Sequence, residues 1–281
     1  MDEPQEFHIP ITTPSLAVAV LASHSGYSKQ VIKTFMQQGA VWLSRGKHTR
    51  RLRRAKAALH SGDQLHAYIN PDVLAASVPA AQLIADEGAY SIWHKPYGML
   101  SQGSKWGDHC TISRWAETQL QPERPAFIVH RLDRATSGLI IIAHSKTMAQ
   151  QLSSLFAQRK IEKKYQAIVA GDFSAQPQPL TVNLALNGKA ACSHFYHLAY
   201  DSEKNHSLLD VKIESGRKHQ IRQHLASVGF PIVGDRLYGQ LPEGQSHSND
   251  LQLCAYYLAF NCPVSGEAKH YRLSDEVLLS L

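Results

Sequence analysis

The sequence predicts an α+β fold with a mixed sheet, in a large C-terminal domain that follows a smaller α+β domain. From Ala89 onward, segments typical of strands and helices alternate irregularly, without the regular βαβ units of a doubly wound sheet. Before that point, residues 17–70 show the pattern of a helix, a strand, a basic stretch and a second strand. The length of 281 residues and a hydrophobic content of 43% allow a substantial core.

Composition shifts divide the chain into four segments. The expected segments are an N-terminal arm over 1–16, the small domain over 17–70, a linker over 71–88 and the large domain over 89–281. Pro71 and Pro79 interrupt any continuous pattern in the linker, and Asp86-Glu87-Gly88 marks a turn at its end.

The small domain begins with an amphipathic helix, for which Ser28 is a suitable N-cap. Apolar residues follow at helical spacing, namely Val31, Ile32, Phe35 and Met36. A strand is predicted over 40–43, and the turn at Gly62-Asp63 leads into an alternating strand over 64–69. The basic stretch between these strands consists of Arg45, Lys47, Arg50, Arg51, Arg53, Arg54 and Lys56.

This basic stretch has two interpretations. Most runs of charge are solvated surface. The run is of one sign with no acid inside it, however, which favours a face that binds a polyanion. The whole chain is also basic, because 29 Lys and Arg against 23 Asp and Glu give a net charge of +6. A charge of that size permits binding to a polyanion.

Membrane, secretory and metal-binding signals are not found. No apolar run is long enough to cross a membrane, and the acidic residues 1–5 lack the basic region of a secretory signal, so a cytoplasmic protein is expected. His219 and His224 are five residues apart, one more than the spacing that puts two ligands on one helical face, so no metal site is expected. The cysteines lack Cys-x-x-Cys spacing and are interpreted as free thiols: Cys110, Cys192, Cys254 and Cys262.

The large domain shows four clear strand patterns and two helix patterns. The predicted strands cover 90–94, 139–143, 165–169 and 208–213. One helix is predicted from about Ser145 to Gln158. Within the segment 215–225, a turn is expected to lead into a second helix, on which Ile221 and Leu225 can face the core. The last strand, turn and helix together place N–H donors at a helix N-terminus, which attracts anions.

The most informative segment is residues 130–139, which read His-Arg-Leu-Asp-Arg-Ala-Thr-Ser-Gly-Leu. Asp133 stands between Arg131 and Arg134, and charges buried without a task cost desolvation free energy. A carboxylate beside arginines stays ionised, which makes it a poor proton carrier at neutral pH but a usable nucleophile. Since the same arginines can bind phosphate, the segment indicates carboxylate chemistry next to a polyanion.

Residues 130–139 resemble the catalytic motif of the RluA-type pseudouridine synthases, which isomerise uridine to pseudouridine in RNA. The order of elements over 17–70 resembles the S4 RNA-binding fold. Cys254 stands where the RluA-type family usually has histidine. The resemblance to the synthases covers about Ala89 to Gly266 and includes Lys95-Pro96-Tyr97-Gly98, Lys164-Tyr165, 215–225 and 229–239.

The resemblance implies a mixed, largely antiparallel sheet of the pseudouridine synthase type, preceded by a small S4-like α+β domain. It implies that Asp133 is the catalytic nucleophile, that Tyr165 packs on the target base and that Arg222 pairs with Asp133. Arg131 enters the space left by a flipped-out uridine. The reaction has no redox step, so no cofactor is expected, and RNA is the partner of a protein that is a monomer by default. The expected RNA-binding residues are Lys95, Arg131, Arg134, Arg217, Arg50, Arg51, Arg53 and Arg54.

Several alternatives stay open at this point. Asp133 can attack the ribose, attack the uracil ring or remove a ribose proton, and the RNA can be ribosomal or transfer RNA. A glycosidic hydrolase usually needs two carboxylates, and only one has arginine neighbours here. A kinase is disfavoured because no glycine-rich loop precedes the motif. A non-catalytic RNA-binding protein that uses the S4-like domain and the helix of Arg217 and Arg222 is the main competitor.

Overall fold

The computed structural model describes residues 3–239 and 250–281. These residues form two compact units. Unit 1 comprises the chain up to Ser77 together with Gln102–Trp115, and unit 2 comprises Val78–Ser101 and Ala116–Leu281. Among the helices of the described residues, none is long and apolar enough to span a bilayer.

Unit 1 is built around a four-stranded antiparallel sheet. Its elements in chain order are β1 (Gln5–Pro10), β2 (Ser15–Leu16), α1 (Ala17–Ser25), α2 (Lys29–Gln37), β3 (Val41–Arg45), β4 (His48–Arg51), β5 (Ala58–Leu59), β6 (Gln64–Ile69) and α3 (Pro71–Leu74). The sheet order is β1-β6-β3-β4, and β2 pairs with β5 separately. Ser28 caps α2 as expected, since its hydroxyl accepts a hydrogen bond from the Val31 amide at 3.3 Å. Ile32 and Met36 of this helix are fully buried in the core.

The arm expected over 1–16 is corrected by the structure, because Gln5–Pro10 is a strand that pairs with β6 along its whole length. Phe7 and Ile9 point to the core in the period of two that a strand requires. The linker expected over 71–88 also contains regular structure. Asn70 caps α3 through a hydrogen bond from the Val73 amide, with Pro71 in the first turn, where its missing N–H costs nothing.

The remaining elements, in chain order, are β7 (Gln82–Asp86), β8 (Tyr90–Lys95), α4 (Ile112–Gln119), β9 (Phe127–Ile128), β10 (Ser137–Ala143), α5 (Lys146–Ala157), β11 (Glu162–Ala170), β12 (Leu180–Val182), β13 (Ser193–Asp201), β14 (His206–Ile213), α6 (Gln220–Ser227), β15 (Leu253–Asn261), β16 (Ala268–Arg272) and a 3₁₀ turn (Asp275–Val277). The strand β7 lies in the expected linker and pairs with β8.

Unit 2 is organised by a ten-stranded sheet in the order β12-β13-β14-β11-β15-β10-β8-β7, with β16 added at β15 and β9 at β10. Of the strand pairs in the described ranges of this sheet, only β10 and β15 run parallel. The predicted α+β class with a mixed, largely antiparallel sheet is therefore confirmed.

The apolar run that follows the motif forms the centre of this sheet. Every residue of β10 from Gly138 to Ala143 is buried, as expected for a strand that is covered on both faces. The helix α5 covers one face with Met148 and Leu152, which share a core cluster with Leu139 and Ile141. The loop that carries Asp133 thus leads directly into a strand buried in the core of unit 2.

Candidate active site

Asp133 lies in a loop whose main chain is held on both sides of the aspartate. The Ser101 hydroxyl donates to the Leu132 carbonyl at 2.6 Å and accepts from the Leu132 amide at 3.0 Å. The amide of Gly98 donates to the Arg134 carbonyl at 2.9 Å. These contacts explain why Lys95-Pro96-Tyr97-Gly98 accompanies residues 130–139 in the sequence: the first segment is a clamp for the second.

The side chain of Asp133 is accessible from solvent. It is 34% exposed, so a ligand can reach the carboxylate. The contact that the structure gives this carboxylate is His219 Nε2, which lies 3.8 Å from Oδ1. A side chain on a main-chain clamp next to a buried strand has little freedom to lose when a ligand binds to it.

One row of residues across the sheet forms the floor beside Asp133. Strand pairing aligns Lys95 of β8 with Gly138 of β10, Gly138 with Ala255 of β15, and Ala255 with Tyr165 of β11. Because paired residues on neighbouring strands share a face, this register places Lys95 and Tyr165 at the two ends of a row with small residues between them. The charge of Asp133 acts on the pKa of both Lys95 and Tyr165, which locates the carboxylate near the row.

Gly138 is required in this row by steric contact. A Cβ at this position would overlap the carbonyl oxygen and the amide nitrogen of Ala255. The φ angle of Gly138 is also +119°, a conformation that other residues rarely adopt. The glycine of the motif therefore permits the close parallel approach of β10 to β15.

Lys95 was expected to bind RNA, and the structure corrects this. Its side chain is fully buried, and its ammonium donates to the carbonyls of Met99 at 2.8 Å and Pro96 at 3.1 Å. Burial lowers the pKa of Lys95 to about 7, while the negative charge of Asp133 opposes that shift. The ammonium of Lys95 therefore holds the turn that follows β8 and does not face solvent.

Tyr165 lies in β11 at the end of the row that begins at Lys95. It is 8% exposed, and burial together with the charge of Asp133 raises the pKa of its phenol, which stays protonated at neutral pH. The phenol is therefore a neutral aromatic face with a polar tip at the edge of the row.

Arg222 does not pair with Asp133 in this structure, contrary to the expectation. Its guanidinium makes two hydrogen bonds to Asp235, at 2.8 Å and 2.6 Å, and it lies 5.1 Å from the ring centroid of Tyr238. Asp235 also accepts from the amides of Leu237 and Tyr238. A planar bidentate pair of this kind is the geometry that arginine and carboxylate favour, and it outcompetes the more distant Asp133.

His219 is a site residue that sequence reasoning missed. It precedes α6 in the left-handed conformation, with φ of +55°, and its ring lies between Tyr238 OH at 3.1 Å from Nδ1 and Asp133 at 3.8 Å from Nε2. Non-glycine residues in this conformation are uncommon and store strain that clusters at functional sites. Burial lowers the pKa of His219 although Asp133 opposes this, which favours the neutral imidazole at pH 7.

The arginines on either side of Asp133 point to solvent. Arg131 and Arg134 are exposed, and the Nε of Arg134 donates to the Gly98 carbonyl at 3.3 Å. Within the described residues, no ion pair links either arginine to Asp133. Arg217 is half-buried and donates to the Ala190 carbonyl at 3.2 Å.

The first histidine of the motif has a structural task. His130 Nε2 accepts a hydrogen bond from the Ile141 amide at 3.0 Å, and its ring stacks on Phe156 with centroids 4.4 Å apart. Burial, with a smaller contribution from Lys163, lowers the pKa of His130 to about 3, so the ring is a neutral acceptor. This contact ties the start of the motif to β10 and α5.

The predicted basic stretch of unit 1 is partly neutralised. Asp108 binds Arg51 at 3.0 Å and Arg53 at 2.5 Å, and Asp63 binds Arg45 at 2.7 Å. Arg50 and Arg54 are exposed and, among the described residues, have no carboxylate partner. Of the four arginines predicted to bind RNA here, two are therefore held by an acid that is distant in sequence.

Comparison with known proteins agrees with this geometry. The sequence profile of the family described as RNA pseudouridylate synthase matches residues 89–227. The tRNA pseudouridine synthase C of Yersinia pestis is 32% identical over 203 residues, which cover 62% of this chain and 79% of that protein. An uncharacterized RNA pseudouridine synthase of Aquifex aeolicus (strain VF5) is 29% identical, in an alignment that covers 98% of this chain and 94% of that protein. The ribosomal large subunit pseudouridine synthase D of Zymomonas mobilis is 32% identical over 50% of this chain and 50% of its own.

A solved structure shows the same fold. The human RNA Pseudouridylate Synthase Domain Containing 1 matches with a TM-score of 0.59 at 22% identity, over 72% of this chain and 86% of that one. Fold and sequence together define an RNA-modifying isomerase of the pseudouridine synthase class. The chain belongs to the RNA pseudouridylate synthase family and isomerises uridine to pseudouridine in RNA. The predicted RluA-type resemblance is confirmed, and the likeness of unit 1 to the S4 fold stays a prediction.

Proposed function

We propose that Asp133 is the catalytic nucleophile of this synthase and acts on a uridine that has left its stack. The observation that carries the proposal is the carboxylate of Asp133, accessible and 34% exposed, on a loop clamped at Leu132 and Arg134. The reaction breaks the bond between C1′ and N1, rotates the uracil and forms a bond to C5. A base inside a helix is out of reach, so it must first be extruded at a cost of a few kcal/mol.

The surrounding residues have separate tasks in this proposal. Tyr165 offers its ring to the extruded base, and its high phenol pKa keeps it neutral beside the carboxylate. Arg131, exposed and unpaired among the described residues, fills the space that the base leaves. Arg222 and Asp235 position the N-terminal turn of α6, and with it His219, against Asp133.

The substrate is proposed to be a ribosomal or transfer RNA. The names of two relatives support this range, since one is a tRNA pseudouridine synthase and the other is a ribosomal large subunit pseudouridine synthase. Unit 1 is proposed to be an S4-like domain that adds affinity for structured RNA through Arg50 and Arg54. The cytoplasmic location and the monomeric state stay predictions. The non-catalytic alternative is disfavoured by the family match.

The experiment is chemical mapping of pseudouridine in total RNA from cells with and without the gene. Deletion is expected to remove one or more sites, and wild-type protein to restore them. Asp133→Asn should bind RNA with unchanged affinity and restore none. Asp172→Asn, which changes an exposed aspartate of the same unit, is the matched control and should restore all. Restoration by Asp133→Asn would remove this carboxylate from the mechanism.

A further inference from the structure

A second cluster of reactive side chains lies at one end of the β13–β14 pair in unit 2. Cys192, His194 and Glu214 each offer one potential ligand atom, and these atoms all lie within 4.8 Å of one another. Among the described residues, this is the one group of three or more His, Cys, Asp or Glu side chains whose potential ligand atoms lie this close together. We propose that it is a binding site for a divalent ion of the zinc class.

Strand pairing explains how the three ligands meet. Ser193 pairs with Ile213, and the amide of Glu214 donates to the Cys192 carbonyl at 3.2 Å, so these two residues lie opposite each other. His194 is two residues beyond Cys192 and therefore lies on the same face. Sequence analysis did not detect this site. Cys-x-His is not a helical spacing, and the third ligand directly follows another strand.

The distances between the ligand atoms fit a tetrahedral ion with little movement. Zinc binds sulfur at about 2.3 Å and nitrogen or oxygen at about 2.0–2.2 Å, which gives ligand-to-ligand separations of about 3.3–3.6 Å. The Sγ of Cys192 lies 3.5 Å from the Nε2 of His194, and this nitrogen lies 2.9 Å from the Oε1 of Glu214. The second pair must open by about 0.4–0.7 Å to reach those separations. The third pair, the Sγ of Cys192 and a carboxylate oxygen of Glu214, lies within 4.8 Å.

A fourth residue orients the histidine as metal sites require. The hydroxyl of Thr181 on β12 lies 3.0 Å from the Nδ1 of His194. When the N–H at Nδ1 donates a hydrogen bond to that oxygen, Nε2 carries a free lone pair. This lone pair can then bind a metal ion together with the sulfur of Cys192 and a carboxylate oxygen of Glu214. An oxygen partner on the other ring nitrogen is the usual companion of a metal-bound histidine.

The charges are suited to a dication. Binding removes the thiol proton of Cys192, which passes to solvent, so a thiolate and the Glu214 carboxylate supply two negative charges and His194 a neutral ligand. The cations that oppose binding are Arg159, whose charge acts on Glu214, and Lys212, which pairs with His194 across the strands. A mixed set of S, N and O donors selects zinc or cobalt over magnesium or calcium.

The position suggests a structural role near the active site. The carbonyl of Cys192 accepts from the side-chain amide of Gln220 at 2.9 Å, and Gln220 is the first residue of α6. Glu214 directly follows β14, the strand from which the chain passes to His219. An ion at this corner would fasten the end of the strand pair to which α6 is attached, independently of the role proposed for Asp133.

The test uses the untagged, metal-free full chain titrated with Co²⁺ and, separately, Zn²⁺. Wild type should bind one equivalent of Co²⁺ with a thiolate charge-transfer band, and Zn²⁺ should displace it and raise the melting temperature. Cys192→Ser should abolish the band, while Cys110→Ser, at a cysteine outside any such group, should keep it. Thr181→Val removes no ligand and should weaken binding about 10–100-fold. Glu214→Gln, at an exposed residue, should also weaken it without unfolding the chain.

Two results would overturn the proposal. One is the lack of a charge-transfer band in wild type, which would reduce the cluster to a hydrogen bond between His194 and Glu214. The other is a band that survives Cys192→Ser, which would place the ion elsewhere. Pseudouridine formation by Cys192→Ser is measured in parallel, so that a loss of metal binding can be distinguished from a loss of the activity proposed for Asp133.

Discussion

Replacement of Asp235 tests whether the buried pair with Arg222 supports the active site. The side chains of Arg222 and Asp235 are 6% and 0% exposed, so neither charge is solvated when its partner is removed. Two variants separate the charge from the hydrogen bonds. Asp235→Asn keeps an oxygen for the amides of Leu237 and Tyr238 but loses the charge, and Asp235→Ala loses both.

Breaking a buried ion pair on one side costs about 3–5 kcal/mol, and we expect Asp235→Asn near the lower end because its oxygen remains an acceptor. Asp235→Ala leaves the two backbone amides without that acceptor, which adds about 1–3 kcal/mol. With a urea m-value of about 1–3 kcal/mol per molar, a loss of about 3 kcal/mol lowers the unfolding midpoint by about 1–3 M.

The stability assay is urea unfolding followed by circular dichroism. Turnover is measured separately on the mapped RNA, without urea, at a temperature where each variant is folded. Turnover should fall in both variants, because His219 loses its support next to Asp133. A change below about 1 kcal/mol in both variants would refute the reasoning, since it would mean that the pair is solvated or dispensable.

Three further predictions concern the site and the basic stretch. Gly138→Ala should cost about 3 kcal/mol or more from overlap with β15 and a strained φ, whereas Gly188→Ala, with positive φ but open space, should cost about 1 kcal/mol in thermal unfolding. Lys95 has a pKa of about 7 in the folded chain and an ordinary, higher pKa in the unfolded chain. Between pH 7 and pH 10 the unfolded chain therefore binds more protons than the folded chain does. Stability should therefore rise over this window, by up to about 4 kcal/mol, and Lys95→Met should remove that rise in urea titrations at each pH. Combined Arg50→Ala and Arg54→Ala should reduce the salt slope of log K for RNA binding by about 1.4–1.8, measured by filter binding; an unchanged slope would return both arginines to solvated surface.

Local patterns were sufficient where an element has strong periodicity or a distinctive motif. The apolar strand after residues 130–139 and the helix capped by Ser145 occur as predicted, because burial and capping act within a few residues. Asp133 and Tyr165 also have distinctive sequence neighbours, and their roles in catalysis stay predictions.

Contacts between distant segments could not be predicted in the same way. The partner of Arg222 proved to be Asp235, in a stretch that sequence reasoning treated as a structural loop, because the pair depends on how that loop folds over α6. Asp108 holds Arg51 from more than fifty residues away, so the sign of the basic run alone misjudged its free charge. His219 joined the site through a left-handed backbone that no sequence pattern specifies.

The parallel pairing of β10 and β15 has a consequence for the order of folding. Gly138 and Ala255 are more than one hundred residues apart, so the entropy of closing a long loop must be offset before the row beside Asp133 is complete. Contacts of such sequence separation form slowly compared with local ones. During synthesis, residues 130–139 therefore emerge well before the row beside Asp133 can be completed, and that row forms only after the strand that contains Ala255 has been made.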